Sequence, residues 1–340
     1  MAEYFAGVNT EKGFMGFPKE YFGSLSRLYI IKGTAGSGKS TLMKRIADQC
    51  EKLGIETDRV YCSSDPNSLD GVILPRNGTA VADGTAPHLL EPITPVAKEI
   101  LVDTGRFMDE KKLDKEGIIY YSRKKKEYYS RAYSFILCGV EASRVCSDIV
   151  FAAMDKAKLY SYGERFFKRH IESKVFSKAV HTRIAAAFTG RGLRVLDPFP
   201  QAERVFTLRG GRGNEHIFIK QLYDIALDAG EEACVSPDAT DSQRLNGIYF
   251  PIRRVYVTSL PTERGTEINM ARFFVTAEYA KQKQEIKEIS ETAKKAYSLA
   301  EKQLFSAAAC HGELEKRYVS AMDFEPLDQE YRRIIKGMTE

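Results

Sequence analysis

No stretch of this chain approaches the roughly 18 consecutive apolar residues that a membrane-spanning helix requires, so no such span is expected. The opening MAEYFAGVNT lacks a basic region followed by an apolar run, which excludes a secretory signal of the usual form there. Both absences lead to the expectation of a cytoplasmic protein with no membrane partner. The six cysteines, Cys50, Cys62, Cys138, Cys146, Cys234 and Cys310, show no CxxC spacing. That excludes the usual zinc and dithiol signatures, and reduced, packed thiols are expected. One-sided charge is missing as well. The 51 basic and 46 acidic residues leave a net +5, too little to indicate a nucleic-acid partner.

What is present is an ordinary globular composition, 43% apolar and 29% charged, over 340 residues. That length accommodates two domains, each with its own core. The most informative stretch is KGTAGSGKST at 32–41. It follows a short apolar run, Leu28 to Ile31, and precedes TLMKRIADQCEKLG, where Leu42, Met43, Ile46 and Leu53 share roughly one helical face. Strand, glycine loop and helix form the context that G-x-x-x-x-G-K-[ST] needs. The loop Gly33, Thr34, Ala35, Gly36, Ser37, Gly38, Lys39, Ser40 and Thr41 would turn successive N–H groups inward as a phosphate nest, helped by the positive helix end. Lys39 then reaches β- and γ-phosphates, and the Ser40 hydroxyl can ligate the bridging Mg²⁺.

A carboxylate on a neighbouring strand should complete the metal site. The run TAVAD at 79–83 ends in Asp83, before the strand-breaking GTAPH. Asp83 is the choice for the Walker B role, with a turn-forming Asp before Gly84 as the alternative. No glutamate follows Asp83 to orient a water, so hydrolysis is expected to be slow or assisted from elsewhere. The segment RVYCSSDPNSLDG at 59–71 reads as a strand through Cys62 ending in a polar loop with Asp65 and Asp70. Asp65 would lie outside the carboxyl end of that strand, where a small-molecule kinase can keep its base; simple turn chemistry is the competing reading. His88 falls near the expected γ-phosphate position, or is an idle loop histidine. There is no LSGGQ-like run, and the nearest approach to NKxD is KKLD at 111–114, in a charged stretch, so GTP preference is unsupported.

The chain repeats itself. RLYIIKGTAGSGKSTLMKRIADQCEKLG from residue 27 faces RVFTLRGGRGNEHIFIKQLYDIALDAG from residue 204. The match continues: SLDGVILP at 68–75 faces RLNGIYFP at 244–251, TAVAD faces VYVTS at 255–259, and NTEKGF at 9–14 faces FTGRGL at 188–193. Ordered agreement of this kind argues for duplication, with a boundary near 181–187. In the second copy His216 stands where Lys39 does, Ile217 replaces Ser40 and Ser259 replaces Asp83. Mg-nucleotide chemistry is therefore expected only in the first half. Arg209, Arg212 and His216 retain charge with which to hold a phosphate or reach the first site as an arginine finger; a purely structural turn is the favoured reading.

Residues of about 96–180 and 266–335 lack turn signals and carry helical periodicity. Pairs such as Lys281 with Glu285 and Glu291 with Lys295 mark a solvated face. The basic cluster Arg123 to Lys126, beside Tyr128 and Tyr129, is read as a solvated helix face rather than a nucleic-acid contact.

YFAGVNTEKGF, KGTAGSGKSTLMKRI, CSSDPNSLDGVILP, AVADGTAPH and HGELEKRYVSAMDFEPLD at 311–328 together resemble duplicated bacterial P-loop proteins generally labelled only as ATPases. The resemblance implies ATP binding by Gly33 to Thr41, with Asp83 nearby and Asp65 and His88 as further candidates there. It also implies two P-loops, from which RGGRGNEHIF departs. The expectation is thus an α/β chain of tandem P-loop NTPase-like domains with mainly parallel sheets. Residues 1–180 form the active half with a helical segment at about 96–180, and residues 181–340 form a degenerate repeat with a helical segment at about 266–335. The expected function is ATP binding with slow Mg-dependent hydrolysis, with Lys39, Asp83 and Asp65 as catalytic candidates and Ser40 and Asp83 as metal ligands. A small-molecule kinase using Asp65 as base and a non-catalytic nucleotide-gated scaffold are the alternatives. A protein partner or self-association is left open.

Overall fold

A computed structural model describes residues 1–87, 89–173 and 175–339. It shows an α/β protein with two six-stranded sheets. The first half supplies β1 (Glu3–Phe5), β2 (Gly7–Thr10), β3 (Gly13–Gly16), α1 (Pro18–Phe22), β4 (Arg27–Lys32), α2 (Lys39–Lys52), β5 (Asp58–Tyr61), β6 (Leu69–Leu74), β7 (Thr79–Asp83) and β8 (Glu99–Asp103). Helices α3 (Lys115–Ala152) and α4 (Lys156–His170) follow. The second half supplies β9 (Val180–Thr182), β10 (Ala186–Thr189), β11 (Gly192–Val195), β12 (Arg204–Arg209), α5 (Glu215–Ala229), β13 (Ala233–Pro237), β14 (Leu245–Phe250), β15 (Val255–Thr258) and β16 (Thr266–Asn269). It ends in α6 (Thr276–Val319) and α7 (Glu325–Thr339).

The two large sheets run β1-β5-β6-β7-β4-β8 and β9-β13-β14-β15-β12-β16, the same order with the same strand directions. In each, one strand (β6 or β14) runs antiparallel to its neighbours and the other contacts are parallel. A small hairpin, β2-β3 or β10-β11, follows the first strand of each. In β4 alternation decides the faces. Tyr29 and Ile31 enter the core with α2, while Leu28 and Ile30 pack on the opposite side with Phe22 of α1.

Three details depart from the expectation. The stretches read as helical from 96 and 266 begin with edge strands, β8 and β16, and the helices start at Lys115 and Thr276. Runs of four or five residues are too short for periodicity to separate strand from helix, and pairing with β4 and β12 decided them. Asp70 lies in the buried strand β6 rather than in a polar loop. Lys281 pairs with Glu278, one turn back, at 2.8 Å.

The helices exchange between halves. Helices α3 and α6, about 57 and 66 Å long from their 38 and 44 residues, lie antiparallel. Arg317 Nε reaches Asp114 Oδ2 at 2.9 Å near one end, and Cys146 Sγ lies 3.4 Å from Ser290 Oγ toward the other. Each long helix carries its follower across. Leu159, Phe166 and Phe167 of α4 join the core formed by Phe218, Ile219 and Leu222 of α5. Ile334 and Met338 of α7 join Met43, Ile46 and Val81 of the first half. The crossings mirror one another: Asp155 N donates to Phe273 O and Asp323 N to Phe107 O, while Val275 N donates to Ala153 O and Asp109 N to Ala321 O.

Among the described residues no helix is long and apolar enough to cross a membrane. All six cysteines are free thiols.

The exchange has a stability consequence. Ile334→Ala should cost about 2–5 kcal/mol and reduce hydrogen-exchange protection in β4 and β7, far away in sequence, before that in β12 and β15. Loss of protection centred on the second sheet would contradict the exchange.

Candidate functional site

Strand β4 delivers the chain at its carboxyl end into the glycine loop, and α2 begins at Lys39. Gly36 and Gly38 have left-handed φ of 71° and 84°, which lets the loop curl back over the helix start. Their missing side chains serve packing as well. A Cβ on Gly36 would fall 2.7 Å from Glu315 O and one on Gly38 would fall 2.9 Å from Leu327 Cδ1. The loop of the first half is therefore roofed by α6 and α7, which arrive from the second.

Lys39 folds onto its own loop. Its Nζ donates to Gly33 O at 3.0 Å and Thr34 O at 2.7 Å and lies 3.6 Å from Asp83 Oδ2. Asp83 ends β7, the direct neighbour of β4, so β-pairing brings acid and lysine together. The Thr85 N–H donates to the other Asp83 oxygen at 2.8 Å, and Thr85 Oγ1 donates to Gly33 O at 3.1 Å. Both readings of Asp83 thus meet in one residue: it shapes a turn and it faces Lys39. Burial pushes its carboxyl above the usual range, while Lys39 and the Thr85 hydrogen bonds pull it down. Ser40 Oγ accepts from Leu69 N at 3.0 Å. Thr104 Oγ1 donates to Lys32 O at 3.0 Å, so the 2.9 Å contact with Ser37 has Ser37 as donor. Thr34 Oγ1 is buried without a hydrogen-bond partner, an open polar group in the wall of the loop. Thr41 is exposed on α2.

Other candidates land differently. Asp65 is engaged in a turn, accepting from Asn67 N at 3.2 Å and Ser68 Oγ at 2.6 Å, as the turn reading expected. His88 lies outside the described residues. The charge pattern of α3 puts Lys125 on a solvated face. Lys124 does pair there with Glu127 at 3.1 Å, but Lys125 turns inward and donates to His311 Nδ1 at 3.1 Å. His311 Nε2 lies 3.6 Å from Glu315 Oε1. Burial, with help from Lys125 and Lys39, pushes the His311 pKa down to about 4, so the ring is neutral at pH 7. No signal in the linear sequence joins Lys125 to His311 and Glu315, because helix pairing between halves creates the group.

The second loop handles the same backbone problem without a ligand. Glu215, in the position of Gly38, turns its carboxylate into the loop and accepts from Gly211 N at 2.8 Å and Gly213 N at 3.0 Å. Arg209 is held by Ser259 O at 3.0 Å and Leu260 O at 3.3 Å, within its own half. His216 Nδ1 meets Gly213 O at 2.8 Å, and burial and Arg244 push its pKa down to about 4. Neutral His216 and tethered Arg209 offer little to a phosphate there, whereas Arg212, at a positive φ of 56°, is exposed in the loop.

A magnesium ion fits the residues of the first loop by donor type. Ser40 offers a hydroxyl oxygen with a remaining lone pair and Asp83 a carboxylate, hard oxygens that suffice only together with a ligand's phosphates and waters. Among the described residues no group of three or more His, Cys, Asp or Glu is placed to hold a metal ion. No protein-family model, no curated protein and no solved structure matches the chain.

Two outcomes follow. Glu215→Ala should destabilise the protein by about 1–2 kcal/mol, since two loop N–H groups lose a charged acceptor; an unchanged denaturant midpoint would show the contact to be dispensable. His216 carries fewer protons folded than unfolded between about pH 4 and 6.5. Stability should therefore rise with pH across that window. His216→Asn should flatten part of that rise in urea titrations at pH 5 and 7, and an identical pH dependence in the variant would contradict it.

Proposed function

We propose that this chain binds ATP with Mg²⁺ through its first glycine loop and hydrolyses it slowly, and that its second half is a structural and regulatory partner. One observation carries the reading: Lys39 lies between the loop carbonyls and Asp83 at the ends of paired strands, poised to exchange those contacts for phosphate oxygens. Gly33 to Thr41 would cradle the phosphates, and Ser40 and Asp83 would hold the metal. Magnesium supplies charge neutralisation on the β- and γ-phosphate oxygens when bound. The protein's own residues position: loop N–H groups orient the phosphates, Lys39 follows the terminal one, and the roof of α6 and α7 limits water. The likeness to duplicated P-loop ATPases points the same way.

A nucleotide-gated scaffold is the reading that a second observation favours. Gly36 packs so closely under the Glu315 backbone that a shift of the loop toward α6 would have to move that helix. The kinase alternative loses ground, because Asp65 is spent on its turn.

The test is ATP turnover and, separately, ATP binding by the purified chain beside Lys39→Ala and Asp83→Ala. Loss of Lys39 should weaken ATP binding by on the order of 10- to 100-fold, the worth of one charge-assisted contact, and Asp83→Ala should abolish Mg-dependent turnover. Equal turnover in all three proteins would refute the assignment; tight binding without turnover in the wild type would leave the scaffold.

A further inference from the structure

We propose that Lys125 of α3 and Glu315 of α6 complete the phosphate site of the first loop, Lys125 as a second cation on the terminal phosphate and Glu315 as the base for the attacking water. The assignment rests on the ATP reading above and names what that reading lacks. Asp83 is followed by Gly84, so the first half carries no adjacent glutamate to take the water's proton.

The geometry comes from the helix exchange. The turn of α6 at Glu315 lies with its backbone on Gly36, and the Glu315 side chain stands beside the loop at 48% exposure. Lys125, His311 and Glu315 form a connected row: Lys125 Nζ donates to His311 Nδ1 at 3.1 Å, and the opposite ring nitrogen lies 3.6 Å from Glu315 Oε1. A neutral ring that accepts at Nδ1 carries its proton on Nε2, pointing to the carboxylate. His311 thus positions both partners, as the orienting group does in a nucleophile–base pair. Both ends of the row feel the loop: burial and Lys39 push Lys125 down, whereas burial and Asp65 push Glu315 up against the pull of Lys125 and Lys39. A carboxylate raised in this way is a better base at neutral pH.

In the proposed step the water oxygen forms a bond to the terminal phosphorus as the bond from phosphorus to the β–γ bridging oxygen breaks. The bridging oxygen keeps the electron pair and leaves with the diphosphate. The water's proton passes to the Glu315 carboxylate and then to solvent, giving ADP and inorganic phosphate. Lys125 and Lys39 offset the negative charge on the oxygens in transit.

The test compares the full-length chain with Glu315→Gln and Lys125→Met, using Glu315→Asp and Lys125→Arg as conservative partners and thermal unfolding as a check on folding. ADP binding and binding of ADP with aluminium fluoride, a planar mimic of the transferring phosphoryl group, are measured beside steady-state kinetics. Glu315→Gln should lower kcat by on the order of 10²-fold with KM held within about twofold, and Glu315→Asp should recover part of it. Lys125→Met should weaken the aluminium fluoride complex by about tenfold or more while leaving ADP affinity unchanged, with partial recovery in Lys125→Arg. Wild-type turnover that needs Lys39 but survives both substitutions would overturn this assignment alone. Equal loss of ADP and analogue binding in the variants would reduce both residues to packing and overturn it too. Tight ATP binding without wild-type turnover would overturn the base and leave the nucleotide site standing. Absence of any nucleotide binding by the wild type would remove the ATP reading, and this assignment with it.

Discussion

The antiparallel contact between α3 and α6 is the constraint on which the other features depend. Each helix leaves the edge strand of its own sheet and ends over the opposite half, where its follower, α4 or α7, fills the other core. Neither sheet can bury its helical face with the residues of its own half alone. The halves are thereby bound by core packing rather than by a surface contact. That kind of connection transmits a displacement instead of absorbing it, because close-packed interiors have few intermediate arrangements.

The same crossing explains the concentration of charge near the first loop. Lys39 and Asp83 come from paired strands, while Lys125, His311 and Glu315 are brought by helices from two directions. Partial burial strengthens interactions between such groups and makes unpaired ones costly. In the row from Lys125 to Glu315 the lysine is held by a neutral ring rather than by a carboxylate, which leaves its charge available to another partner. Lys39 behaves likewise, resting on carbonyls that it can exchange for another oxygen.

Comparison of the two loops shows one backbone requirement met in two ways. Both loops end a β-strand and open a helix, so both must satisfy inward N–H groups. In the second, Glu215 supplies the anion from within the chain, and Ser147 of α3 donates to Asn214 at 2.8 Å from above. A helix roof over a loop is thus common to the halves. The difference lies in a glutamate where the first half has Gly38, and in His216 and Ile217 where it has Lys39 and Ser40.

Local pattern alone determined a good deal: the strand before the glycine loop, the helix after it, the strand ending in Asp83, and the repeat that gives two sheets of one order. These rest on near neighbours in sequence and on alternation, which a linear reading can follow. The edge strands β8 and β16 were illegible, because so short a run takes its conformation from the strand it joins. Asp70 looked like a loop residue because Asp-Gly is turn chemistry, yet pairing of Leu69 with β5 and of Gly71 with β5 and β7 holds it in β6, at an irregularity of the ladder. Only the tertiary structure decided which half each helix serves, that Lys125 faces inward while Lys124 does not, and that Glu215 fills its own loop. Those outcomes depend on contacts between residues more than 150 positions apart for the helices, and on the direction of one carboxylate for the loop, and neither leaves a period in the sequence.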